Sequence, residues 1–434
     1  MKKSFCLLVG AILVGTTSVD AQSWSSLSNG TDGSVTALSV GTANNLFVGG
    51  HFNNVSSAAS EKFAEWNGTV WTPYPLGADY PLHELYHDAG NSYLYAGGEF
   101  LSIGGVSANR IAYYDGANWN AMGVGLTASV NKIIRYNGDL YAGTLSGLFQ
   151  WNGSTWIEMN LSGNPYVIIT DMEIYQGELY VGGSFETAGG FTANGIAKWN
   201  GSTWSTLGSG LDQNGLIDVM EVFNNELYIG GIFSSLNGVN AGSFAKWNGT
   251  TAFAVGTGVP VISVGFPNRV SALQGIGTNL YVGGYFNEID GVSANNIAQY
   301  SGSSFLTMGN GVDNSVFEMA NYNGDLIVGG AFTTAGSTTV NYIAQWEGVA
   351  WMDEEVVQFE VFPNPFPDEF HVISESESIQ FLKVFDVLGN LVWEAEFEGE
   401  KEMDVSLKGI PTGTYTVEIT NSSGEFVRKK LLKQ

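Results

Sequence analysis

His83-Glu84-Leu85-Tyr86-His87 spells the H-E-x-x-H pattern, in which two imidazoles hold zinc and the glutamate acts on the bound water. That chemistry needs a helix, where residues four apart share a face. Here the segment falls where other parts of the chain read Met172-Glu173-Ile174 and Met220-Glu221-Val222, an alternation that predicts a strand. On a strand, residues four apart stand about 13 Å apart and cannot share one ion, so no metal site is expected. The remaining histidines, His51 and His371, are distant in sequence. A second pattern is positional. Asp32, Asp79, Asp212 and Asp313 each follow a Gly-x pair just before an apolar run, where three further repeats place Thr127, Pro165 and Pro260. Carboxylates recurring on one rim could bind sugar hydroxyls or a structural cation. The simpler reading is that each caps its own backbone two residues on. Asn109, Asn194, Asn295 and Asn341 recur in another loop and are expected to satisfy loop backbone in the same way. Glu99 and Tyr285 occupy a position that differs in every repeat, which is where a site could be individualised, and they join the four aspartates as candidate ligand contacts.

The elements that position these residues come from an internal repeat. A hydrophobic run ends in Gly49-Gly50, Gly97-Gly98, Gly182-Gly183, Gly230-Gly231, Gly283-Gly284 and Gly329-Gly330, and in the degenerate Gly143-Thr144. Aromatic anchors follow at Trp66, Tyr114, Trp151, Trp199, Trp247, Tyr300 and Trp346, with the third repeat shortened. Four strands per repeat predict a propeller blade, so the fold class is all-β: a seven-bladed β-propeller over 22–355 and a small Ig-like β-sandwich over 356–434. The turn joining the third and fourth strands carries Asn-Gly at Asn67, Asn152, Asn200 and Asn248, which predicts a hairpin with both central residues at positive φ. Eight aromatics compete for the fourth-strand position: Trp24, Trp71, Trp119, Trp156, Trp204, Phe253, Phe305 and Trp351. Trp24 is favoured over Trp351 to close the ring because Leu27 completes its motif. In a propeller the loops between the fourth and first strands and between the second and third share one face, around the channel mouth.

The run Leu280 to Gly284 followed by aromatics spaced as in Trp199 to Leu207 resembles the kelch repeat, of the galactose-oxidase-like propeller type. That resemblance implies a fold rather than an activity. A galactose-oxidase-like copper site would need a cysteine, and Cys6 is the only one in the chain. A sialidase-like site needs an arginine triad, and Arg110, Arg135 and Arg269 occupy unlike repeat positions.

Lys2-Lys3, the apolar Cys6–Val14 and the small residues of Val19-Asp20-Ala21 read as a signal peptide over 1–21, cleaved near Ala21. At the other end, Pro363-Asn364-Pro365, Phe385-Asp386-Val387-Leu388-Gly389, Gly413-Thr414-Tyr415 and the Lys429–Lys433 close resemble the C-terminal sorting domain of type IX secretion cargo. The resemblance implies handling by that machinery, release or outer-membrane surface anchoring, and a Bacteroidota-type source. A formal net charge of −26 disfavours nucleic acid and anionic lipid as partners. The expected function is therefore non-catalytic binding of an extracellular glycan or protein, with no cofactor. A secreted polysaccharide hydrolase or lyase using rim carboxylates is the alternative.

Overall fold

The computed structural model describes residues 23–163, 166–213, 215–260, 267–347, 359–374, 378–386, 391–397, 400–421 and 426–433. The expected signal peptide, Pro165 and Trp351 lie outside them. Two compact units divide at Gly348/Val349.

In the first unit, the described residues form seven four-stranded antiparallel sheets. Their strands are called a to d in order, and each strand a is innermost. These inner strands are Val35–Val40, Leu82–Asp88, Val130–Tyr136, Ile168–Tyr175, Leu216–Phe223, Arg269–Ile276 and Val316–Tyr322. Each packs on the next and the last returns to the first, so they enclose a central channel. The H-E-x-x-H segment lies in strand a of sheet two, as its alternation predicts.

The glycine pair ending each strand b explains how the sheets pack so closely. A Cβ on Gly97 would stand 2.6 Å from Val130 Cγ1 of the next sheet, and one on Gly230 would stand 2.5 Å from Val270 Cγ1. The second glycine faces its own strand a: a Cβ on Gly231 would lie 2.1 Å from the Leu216 carbonyl oxygen. The first glycine therefore sets sheet-to-sheet distance, and the second admits a bulge in strand a.

Ser23–Ser26 supplies strand d of sheet seven, pairing Trp24 with Trp346. The two rings lie 4.9 Å apart, and Trp24 Nε1 donates to the Met308 carbonyl at 3.0 Å. The N-terminal strand thus closes the ring in the place that sequence favours for it.

Two expectations about the c–d hairpins need correction. Only glycine has positive φ there (Gly68 at 96°, Gly201 at 97°), and the preceding asparagines do not. The loop has four residues, and Asn67 Oδ1 accepts the Thr69 and Val70 N–H groups at 3.0 and 2.8 Å. This side-chain cap replaces the two-residue turn. The loop length also fixes which residues pair: Trp66 faces Trp71 and Trp199 faces Trp204, whereas Trp247 faces Ala252. Phe253, one residue later, points to the opposite side of the sheet and is 42% exposed. It is not the packing aromatic of sheet five.

The second unit has a three-stranded sheet, with Glu369–Ser374 between Phe359–Phe362 and Glu402–Ser406, and a four-stranded sheet. Phe366, Phe370, Val372, Leu382, Val417 and Leu431 fill one shared core, the expected sandwich. Tyr415 Oη ties back to the Pro411 carbonyl at 2.7 Å.

Candidate functional site at the channel mouth

Every strand a carries one bulge against strand b, between the residue pairs Val35/Ala37, Leu82/Glu84, Val130/Lys132, Ile169/Asp171, Ile217/Val219, Val270/Ala272 and Val316/Glu318. A bulge re-aims one side chain. The bulged residues Thr36, His83, Asn131, Thr170, Asp218, Ser271 and Phe317 all line one cavity of about 870 Å³ in the channel. Several staple each sheet to the next: Thr36 Oγ1 donates to the Leu82 carbonyl (2.6 Å), Asn131 Nδ2 to Ile169 (2.9 Å) and Ser271 Oγ to Val316 (2.8 Å). At the equivalent place Asp218 is ion-paired with Arg269 of the following sheet.

Below the bulges the lining is charged. Glu84, Asp171, Glu173, Glu221 and Glu318 face the cavity with Lys132, whose Nζ is 2.9 Å from Asp171 Oδ1. Burial pushes Glu84 and Glu173 up to about 8, with Lys132 opposing. Burial likewise lifts Glu221 and Glu318 to about 7. Burial alone would lower Lys132, but Asp171, Glu84 and Glu318 reverse it and hold the ammonium well above its ordinary value. Sequence reasoning noticed Glu173 and Glu221 as alternation and missed the ring. The available signal was charge at a recurring position of the innermost strand, where propeller geometry leaves side chains no neighbour but the channel.

The cavity reaches the face of the d–a and b–c loops through Pro267, Arg269, Tyr285, Asn314 and Ser315. Tyr285, one of the candidate residues, lies at this opening and is 38% exposed, with Phe317 at 37%. Glu99 is brought to the same place by His83, whose Nε2 lies 3.2 Å from Glu99 Oε1. The His51 ring is 5.7 Å from that of His83, and its pKa is lowered by burial and by that neighbour. Among the described residues no group of His, Cys, Asp and Glu is arranged to hold a metal ion.

The four rim aspartates do not gather at the channel. Each accepts backbone N–H groups of the b–c loop of its own sheet. Asp32 Oδ1 takes Asn53 and Asn54 (2.7 and 2.9 Å), and Asp79 takes Leu101 and Ser102 (2.8 and 3.0 Å). Asp212 takes Ser234 and Ser235 (2.9 and 2.8 Å), and Asp313 takes Thr333 and Thr334 (2.7 and 3.0 Å). The expected cap two residues on is thus replaced by one about twenty residues on, because the folded b–c loop presents two free N–H groups to the carboxylate. Burial works against ionisation of Asp32, but the Asn54 side chain and the Asn53 and Asn54 N–H groups outweigh it and lower its pKa. The recurring asparagines join sheets: Asn109, Asn194, Asn295 and Asn341 donate to the carbonyls of Val124, Ser209, Asn310 and Asn29 at 2.7–2.9 Å.

Residues 360–434 match the family described as "Secretion system C-terminal sorting domain", and residues 279–303 match "Domain of unknown function (DUF5122) beta-propeller". Over 73 residues the chain is 32% identical to an endo-acting ulvan lyase of Formosa agariphila, a stretch that is 17% of this chain and 14% of that protein. Among solved structures, the extracellular domain of the two-component system BT4673 of B. thetaiotaomicron superposes with a TM-score of 0.48 at 12% identity, covering 95% of this chain and 58% of that one. The computationally designed Ika8 protein gives a TM-score of 0.44 at 12% identity, covering 93% and 97%. Among the described residues no helix is long and apolar enough to cross a membrane. The chain is a β-propeller that carries, over residues 360–434, the sorting domain by which the type IX secretion system delivers proteins to the cell surface or beyond.

Proposed function

We propose that this propeller binds an extracellular glycan, without turning it over, at the channel mouth on the d–a/b–c face. One observation carries the reading: Tyr285 and Phe317 are exposed beside a cavity to which Asn131, Gln274, Asn314 and Ser315 also contribute hydrogen-bonding side chains. Aromatic faces with a few directed polar groups suit a sugar ring. Lys132 is paired with Asp171 and Arg269 with Asp218, so neither lining cation is left over to hold a polyanion, which favours a neutral glycan. Glu99 and Tyr285 belong to the contact surface, while Asp32, Asp79, Asp212 and Asp313 hold the loops around it. A glycan array probed with the full chain, followed by Tyr285→Ala and Phe317→Ala, tests this. Binding to neutral glycans that both substitutions weaken is expected; binding that neither affects would sink the assignment.

A second reading has its own observation. Glu84 and Glu173, lifted to about 8, hold a proton at neutral pH, the state a general acid requires. Under that reading the chain is a hydrolase or lyase. Release of sugar ends from a bound polysaccharide, abolished by Glu84→Gln or Glu173→Gln, would establish it over simple binding.

A further inference from the structure

The channel below the mouth holds more acid than its cations balance. Six carboxyls line the cavity, those of Glu84, Asp171, Glu173, Asp218, Glu221 and Glu318, against Lys132 and Arg269. Asp171 takes Lys132 and Asp218 takes Arg269, so the four glutamates have no ion pair of their own among the described residues. Each accepts one backbone N–H on Oε1: Glu84 from Ile133 (3.4 Å), Glu173 from Ile174 (3.1 Å), Glu221 from Gly275 (3.0 Å) and Glu318 from Met319 (3.2 Å). Among the described residues no donor reaches the other oxygen of any of the four. Glu84 is the sharpest case. It is 7% exposed, and its single contact is long for an N–H···O bond. A carboxyl buried that deeply and facing a cavity is costly unless something in the cavity completes it.

The four glutamates stand in two tiers. Glu84 and Glu318 directly follow the bulge of their strands, whereas Glu173 and Glu221 lie two residues beyond the corresponding place in theirs. Two residues of strand span about 6.5–7 Å, so the tiers are separated along the strands and not gathered around one point. Among the described residues no group of acids is arranged to hold a single metal ion. The spacing suits an elongated cation with donors at intervals. An ammonium group carries three N–H donors and no acceptor, and it brings the charge that the ring lacks. The other titratable groups on this wall are His83, paired with Glu99, and Tyr285 at the mouth. Sheets one and six add only uncharged Thr36, Ser271 and Gln274 beside the paired Arg269.

We propose that the channel binds a linear organic polyamine, with Glu84 and Glu318 receiving one ammonium group and Glu173 and Glu221 the next. The site lies below the mouth and does not depend on the glycan reading. The net charge of −26 draws such a cation to the protein. Without it, protons are the counter-ions of the ring: burial lifts Glu84 and Glu173 to about 8, and Glu221 and Glu318 to about 7. An aliphatic ammonium, like that of lysine, keeps its proton well above that range. The polyamine therefore displaces protons from the carboxyls as it enters, and binds more tightly as pH rises through 7 and 8.

Calorimetric titration of the full chain with 1,4-diaminobutane and spermidine tests it, with 1,4-butanediol and magnesium chloride as controls. Spermidine should bind more tightly than the diamine, and butanediol should not bind. Heats measured in phosphate and in Tris should differ, because binding releases protons to the buffer. Spermidine should raise the thermal midpoint more at about pH 8.5 than at about pH 6. Glu84→Gln and Glu173→Gln keep the side-chain shape and should each weaken binding on the order of tenfold, whereas Asp313→Asn on the rim should leave it unchanged. Equal losses in rim and channel variants, or displacement by magnesium at equal concentration, would mean diffuse attraction to an acidic surface and overturn the site. Butanediol binding as tightly as the diamine, or no binding of either amine, would overturn it too. Each of these results leaves the glycan reading at the mouth standing.

Discussion

Lys132 faces three acids, Glu84, Asp171 and Glu318, and its removal should be felt more than that of any rim charge. Asp171 is only 3% exposed and pairs with Lys132, so Lys132→Met would leave it buried without its cation. A loss of about 3–5 kcal/mol at pH 8 is expected in urea unfolding, shrinking toward pH 5 as the acids take protons. The native protein should also lose stability as pH rises. Glu84 and Glu173 titrate near 8 when folded, and Glu221 and Glu318 near 7, against an ordinary value of 4.5. The folded state therefore binds more protons than the unfolded chain, and the resulting stabilisation, complete below about pH 4.5, is lost as pH climbs through 7 and 8. A thermal midpoint that rises from pH 5 to pH 8 would contradict the buried acid ring. The rim behaves oppositely. Backbone N–H bonds from Thr334 and Thr333 outweigh burial and lower the pKa of Asp313, so its contribution is lost only in acid. Asp313→Ala should cost about 1 kcal/mol at neutral pH and leave glycan affinity unchanged, as calorimetry on the folded variant would show.

At the scale of the strand, register decides which aromatic matters. Trp204 pairs with Trp199, the rings 5.2 Å apart, and is buried, whereas Phe253 has slipped one place past the pairing position and is exposed. Trp204→Ala should cost about 3–5 kcal/mol, and Phe253→Ala less than about 1 kcal/mol, by chemical denaturation. Similar losses at the two sites would mean that the four-residue loop does not set the pairing. The repeat showed that an aromatic is wanted near the start of strand d. It did not show that the asparagine cap adds two residues to the turn, which makes Ala252 the partner of Trp247 and leaves Phe253, one residue on, facing the other side. Turn geometry depends on where a side-chain oxygen finds N–H donors, and residue type alone leaves that open.

For the molecule as a whole, stability depends on closing the ring. Ser23–Ser26 covers the edge of Ile343–Glu347, and Trp24 adds a buried ring and a hydrogen bond. Deleting Ser23–Ser26 would bare that edge, lower the unfolding temperature and promote self-association through the open strand. Light scattering and thermal unfolding would detect both effects, and a monodisperse variant with an unchanged midpoint would show that closure is dispensable.

Much of this protein is written in its repeat. Glycine pairs at near-regular spacing, with aromatics following each, demand four short strands per unit and close packing between units. The ordered motifs after residue 360 identify the sorting domain without any coordinates. The strand reading of His83–His87 also follows from alternation alone, because period two cannot bring two histidines to one ion. What only the tertiary structure decided is which residues face the channel and which support the loops. The four aspartates share a sequence position and look like a site, yet each is spent on N–H groups some twenty residues away. Glu84, Lys132, Asp171, Glu173, Glu221 and Glu318 come from five separate inner strands, and they converge because the closed ring turns each strand a toward one axis. Convergence across sheets is a property of the closed ring, and no local stretch of chain encodes it.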